Sequence, residues 1–225
     1  MPAANHARCE PLWWPGTRQS LDRESLGAKG TQCVGLAGDR FRFSAHLTDV
    51  QPRTAAALRE VERTIAATNE RVRRNPAYVS VVFLSPLTNT TLGGYDTAVE
   101  ELRGLALAQR EATGDPVPIR LLLANAGDRM DHGLRAAELI ADARDRERIV
   151  AVTGLGVSRE GTRQAIQRLA EAGIPTVGTL RTAEASPSGC TSSTRTRRRG
   201  TARSASRTWR GRCSATTPSR RCARR

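Results

Sequence analysis

Between Tyr78 and Leu180 the apolar positions follow two alternating rhythms: short unbroken runs, and longer stretches where they recur every three or four residues. The run YVSVVFL at 78–84 is β-branched and aromatic, and turn-rich SPLTNTTLGG follows it, which predicts a buried strand and a loop. In TAVEELRGLALAQREATG at 97–114, Val99, Leu102, Leu105 and Ala106 share one helical face, Thr97 and Glu100 stand at capping-box spacing, and Gly114 closes the segment. The unit then repeats. IRLLLAN (119–125) predicts a strand, AGDRM a loop, and DHGLRAAELIADARD (131–145) a helix burying Leu134, Ala137, Ile140 and Ala141. IVAVTG (149–154) predicts a third strand, LGVSREGTRQAIQRLAEAG (155–173) a helix with Ile166, Leu169 and Ala172 inward and Gly173 as C-cap, and IPTVGTL (174–180) a fourth strand.

Apolar strands alternating with amphipathic helices give an α/β fold, a Rossmann-like parallel sheet with helices on both faces. The β/α rhythm occupies residues 77–182, and a fourth strand with no helix after it leaves the lobe incomplete. Residues 49–76 predict one amphipathic helix with Leu58, Val61, Ile65 and Val72 at helical spacing, ending at Asn75-Pro76. Residues 1–48 are irregular, with no periodicity before residue 31 and a short hairpin in CVGLAGDRFRFS turning at Ala37-Gly38-Asp39.

Charge separates residues 183–225 from this body. The net charge of +14 points to a polyanionic partner, but residues 181–225 hold 13 Arg against one acid, Glu184, while the rest of the chain is nearly neutral. This stretch has no Leu, Ile, Val, Phe, Met, Tyr or Lys, and is expected to be disordered. Three readings remain open. One is out-of-frame reading of a GC-rich gene, which yields this Arg, Ala, Ser, Pro, Thr and Gly mixture; the second is a genuine basic arm, the basis of a nucleic-acid-binding alternative; the third is a disordered linker. Even an out-of-frame tail would bind polyanions non-specifically. No apolar run reaches membrane-spanning length, and MPAANHARCEPLWWPG lacks a signal core.

The chemistry on offer is modest. Cys190, Cys213 and Cys222 fit no zinc spacing, while Cys9 and Cys33 are either bridged or free thiols. In an open parallel sheet, ligands bind at the carboxyl ends of the strands. The loops expected there, 85–91, 126–130, 154–160 and 178–182, offer hydroxyls, glycines and helix starts, with no catalytic set, metal cluster or cofactor motif. His132 reads as a solvated loop residue and Asp131 as a helix N-cap rather than half of a carboxylate pair with Asp128. GLGVSREG departs from the dinucleotide fingerprint in position and glycine spacing. Ser158 is either an N-cap or part of a cradle for an anionic group.

The order of these segments, above all IVAVTGLGVSREGTRQAIQRLAEAGIPTVGTL at 149–180, resembles the amino-terminal lobe of type I periplasmic binding proteins, the leucine-binding or receptor ligand-binding group. More narrowly it is similar to actinobacterial ABC-transporter substrate-binding-like proteins, which also carry a CVG…G…F.F segment and a helix before the first strand. The resemblance covers residues 33–182. It implies a non-enzymatic, extracytoplasmic clamp without cofactor or metal, closing on a small polar ligand such as an amino acid. By that resemblance Ser158, and Thr179 or Thr182, hold the ligand's carboxylate and amino groups, and the loop from Pro86 to Thr88 lines the cleft. Two departures stand out: the Arg-rich tail replaces the second lobe, and no export signal precedes the first. Binding is therefore expected to be weak, with an ABC permease as partner only where an intact second lobe exists.

Overall fold

The computed structural model describes residues 20–25, 31–38, 41–46, 52–88, 94–156 and 159–178. The Arg-rich tail, with the disorder expected of it, lies outside the described residues. The elements in chain order are β1 (Ser20–Ser25), β2 (Thr31–Leu36), a 3-10 turn (Phe43–His46), α1 (Pro52–Val72), β3 (Val79–Ser85), α2 (Gly94–Glu111), β4 (Ile119–Asn125), α3 (Gly133–Glu147), β5 (Ile149–Gly154), α4 (Glu160–Glu171) and β6 (Thr176–Gly178). They build an α/β fold around one mixed, mostly parallel sheet of six strands in the order β1-β2-β4-β3-β5-β6. Pairs β3–β4, β3–β5 and β5–β6 are parallel, as the alternating rhythm predicts.

The amino-terminal part differs from expectation. β2 does not turn back on residues 41–44; it pairs antiparallel with β1, Ser20 opposite Leu36, and with the end of β4, Gly35 opposite Asn125. Residues 43–46 form the 3-10 turn instead, because the Glu62 carboxylate of α1 accepts from Phe43 N–H (2.7 Å), Ser44 N–H (3.4 Å) and the Ser44 hydroxyl (2.6 Å). A strand would have aimed those donors elsewhere. β1 lies where no periodicity was visible, an edge strand stabilised by its partner rather than by its own apolar run.

Two apolar layers flank the sheet. On one face α1 and α2 bury Leu58, Val61, Ile65, Val99, Leu102 and Ala106 against Phe83, Leu121 and Leu123. On the other, α3 and α4 bury Ala137, Ile140, Ala165 and Leu169 against Val82, Leu84, Leu122 and Val152. Each large side chain contributes about 1.5–3 kcal/mol by leaving water. Leu134 is 39% exposed, against expectation, because α3 turns its Ala136–Ala137 side to the sheet. The starts of α3 and α4 are pressed together: a Cβ on Gly161 would overlap the Met130 carbonyl oxygen, and one on Gly133 the Gly161 carbonyl oxygen. Glycine is therefore required at both.

One α1 side chain completes the sheet. β2 reaches only the end of β4, and beyond it the Asn69 amide pairs with Leu121 as a strand would, donating to its carbonyl (2.9 Å) and accepting from its N–H (3.1 Å). Gln109 of α2 donates to the same Asn69 oxygen (2.7 Å). Among the described residues no helix is long and apolar enough to cross a membrane.

Candidate functional site

β3 is followed by α2 on one face of the sheet, and its neighbours β4 and β5 by α3 and α4 on the other. The loops therefore part at the carboxyl end of β3, the position where open α/β sheets form a crevice.

A buried polar cluster fixes two of those loops. The Thr88 hydroxyl donates to Gln32 Oε1 (2.8 Å) and accepts from Asn125 Nδ2 (2.7 Å). Asn125, the last residue of β4, also donates to the Cys33 carbonyl (2.6 Å) and accepts from Gly127 N–H (3.1 Å). Gln32 Oε1 accepts in addition from Asp128 N–H (3.0 Å). Side chains from β2, the loop after β3 and β4 thus hold the loop after β4 in a single arrangement. Buried polar groups with all partners in place are rigid, because any alternative leaves a donor or acceptor unpaired.

That loop is tightly wound. Gly127 has φ 77°, and a Cβ there would lie 2.7 Å from the His132 ring and 2.9 Å from Gln32 Nε2. Arg129 (φ 55°) and Met130 (φ 67°) follow in the left-handed region, Met130 fully buried. His132 is half-buried at the N-cap of α3 rather than solvated, its N–H bonded to the Ala126 carbonyl (3.0 Å). Asp131 ends the preceding 3-10 turn and does not cap α3, because the chain needs one more residue to pass Ala126 before the helix starts.

The loop after β5 lies against β3. Gly154, Leu155 and Gly156 all have positive φ, Leu155 N–H bonds the Leu84 carbonyl (2.7 Å), and a Cβ on Gly156 would meet Pro86 at 2.9 Å. α4 starts at Glu160 with Arg159 as N-cap and no side-chain cap bond, so Ser158 stands one residue before the cap. Arg163 bonds Glu160 and holds its carboxyl below the usual range. Similarly, Thr97 and Glu100 form no capping box, since α2 begins earlier, at Gly94, and Glu100 pairs with Arg103 (2.6 Å).

Of the residues expected at the site, Thr88 is buried within the cluster. Ser158, Thr179 and Thr182 lie outside the described residues. Sequence reasoning missed Gln32 and Asn125. Asn125 carried a faint signal, an amide closing an otherwise apolar strand, whereas Gln32 meets its partners from 56 and 96 positions away in the chain. Cys33 is disulfide-bonded, and its partner lies outside the described residues.

Two polar atoms at this end have no hydrogen-bond partner although solvent does not reach them: Ser85 Oγ, on the last residue of β3, and Asp128 Oδ1. Buried polar atoms in folded proteins are almost always paired, and Ser80 Oγ and Gln109 Oε1, away from this end, are orphaned in the same way. Among the described residues no group of three or more His, Cys, Asp or Glu is placed to hold a metal. The arrangement places fixed donors and acceptors from β2, β4 and the loop after β3 at this end of the sheet. No protein-family model, curated protein or solved structure matches this chain.

Proposed function

We propose that the β/α body is a solute-binding domain of the type I periplasmic class, taking a small polar ligand such as an amino acid at the carboxyl ends of β3, β4 and β5. The observation that carries this reading is the parting of the loops at the carboxyl end of β3, with α2 on one face of the sheet and α3 and α4 on the other, where open α/β folds bind ligands. Loop glycines and a satisfied polar cluster preorganise that end, which lowers the entropy cost of binding. Thr88 positions the loop after β3 through its two bonds, while Ser158, Thr179 and Thr182 contact the ligand as the resemblance implies. The disulfide at Cys33 supports an oxidising, extracytoplasmic setting, where such bonds persist.

Acting on its own, this lobe would leave part of its ligand in water, so the affinity expected of it is in the millimolar range, on the order of 4 kcal/mol. Equilibrium dialysis of the full chain against each of the common amino acids tests the proposal. Saturable millimolar retention of at least one supports it, and retention of none refutes it.

A second reading rests on charge. The excess of Arg in residues 181–225 supports non-specific binding to nucleic acid. Its mark is DNA binding that weakens steeply with salt and disappears on deleting those residues; binding that survives the deletion rules the tail out as its source.

A further inference from the structure

We propose that the outer face of α1 and α2 is the contact surface of a symmetric dimer, its partner a second copy of this chain. A groove of about 240 Å³ runs between the two helices, with Val61 and Ala106 at its floor, Glu60 and Thr64 on the α1 side and Arg103, Leu107 and Arg110 on the α2 side. Leu107 stands 47% exposed at this groove, while Leu102 and Ala106 of the same helix are buried toward the sheet. One exposed leucine needs no explanation by itself. The order of charges on either side of it is what selects a partner.

The stripe of α2 turned away from the sheet reads Glu100, Arg103, Gly104, Leu107, Arg110 and Glu111, all exposed. In a two-fold dimer the same patch meets itself, so each contact occurs twice. With the axis at Leu107 and the helices antiparallel, Arg103 meets Glu111 of the partner subunit and Glu111 meets the partner's Arg103. Arg110 falls beside the partner's Gly104, a position where a Cβ would have nothing within 4 Å, so the long side chain has room. A parallel pair would instead set Arg103 against the partner's Arg103, and like charges in contact are costly. Arg103 also bonds Glu100 on its own helix (2.6 Å), and a guanidinium with five donors serves both carboxylates. The Arg-rich residues 181–225 carry the wrong charge to cover this face, where Arg63, Arg103 and Arg110 are exposed. Helices of 21 and 18 residues lying side by side present a strip roughly 30 Å by 20 Å, about 600 Å² per protomer. A dimer burying about 1,200 Å² in all stands at the lower edge of specific interfaces, which makes it a reversible one.

Sedimentation velocity of the full chain, from about 1 μM to about 300 μM, tests the proposal. A monomer–dimer equilibrium with Kd on the order of 10–100 μM is expected. Leu107→Lys and Glu111→Arg each weaken it by at least about tenfold. Arg103→Glu combined with Glu111→Arg exchanges the signs across the axis and keeps the pairing, so it restores Kd to within about threefold of the unaltered chain. All three positions are exposed, and far-UV circular dichroism checks that each variant is folded. A chain that stays monomeric to the highest concentration overturns the proposal. So does a dimer that Leu107→Lys leaves intact, or one that Glu111→Arg weakens and the double substitution fails to recover while folded. Leu107→Lys decides whether this face is the interface even where the double substitution does not fold.

Discussion

Asn69→Ala measures how much of the sheet depends on one side chain. The substitution removes the donor to the Leu121 carbonyl, the acceptor for its N–H and the acceptor for Gln109, which keeps its bond to the Ile119 carbonyl (3.1 Å). Two backbone groups on β4 are then left unpaired in the interior. Each such orphan costs about 1–3 kcal/mol, giving about 2–6 kcal/mol together. A neighbouring cavity of about 20 Å³, lined by Asn69, Glu62 and Leu121, has room for a single water that recovers part of the loss. The expected cost is therefore about 3 kcal/mol, or about 6–12 °C in Tm for a body of this size. Urea denaturation followed by far-UV circular dichroism reads the stability, and amide exchange at Leu121 reads the local effect. Asn69→Asp should cost more, since it sets a carboxylate oxygen against the Leu121 carbonyl. A loss below about 1 kcal/mol for Asn69→Ala, with Leu121 still protected, would refute the claim that the amide acts as a missing strand.

Four further outcomes follow from the packing. Gly161→Ala forces a Cβ onto the Met130 carbonyl, so denaturant melts should show a loss of at least about 2–3 kcal/mol; neutrality would mean that α3 and α4 slide apart freely. Thr88→Val leaves Gln32 and Asn125 each one partner short and should cost about 1–2 kcal/mol, with faster amide exchange at Asp128 as its local mark. Burial raises the Glu62 carboxyl above its ordinary value near 4.5, so between the two values the folded protein keeps a proton that the unfolded chain has released. This group's contribution to stability falls as pH rises through that window. Glu62→Gln, compared with wild type in urea melts across pH, should gain in relative stability as pH rises; a difference independent of pH contradicts the assignment. Reduction of the Cys33 disulfide by a dithiol should lower stability by about 2–4 kcal/mol, and an unchanged Tm would count against its structural role.

The fold was legible where one side of the chain decides its own fate. β3, β4 and β5 are apolar runs covered on both faces, and α2 and α4 carry apolar stripes, so periodicity identifies them without knowledge of neighbours. β1 and the 3-10 turn were not legible, because they depend on residues far along the chain: β1 on its register with β2, and the turn on Glu62. The site was readable as a place and less so as chemistry. The carboxyl ends of the strands follow from the β/α order, but the Gln32–Thr88–Asn125 cluster joins three segments that no local pattern connects. Loop glycines signalled turns, and only their closeness to the His132 ring, Pro86 and the Leu84 carbonyl shows why a side chain is excluded at each.

Hydrogen–deuterium exchange of the full chain, with and without a saturating mixture of amino acids, tests the solute-binding account most directly. The account predicts added protection confined to the loops after β3, β4 and β5, at residues 86–88, 126–132 and 154–160, with the α1–α2 face unchanged. Protection absent from these loops, or appearing only on that opposite helical face, would contradict it.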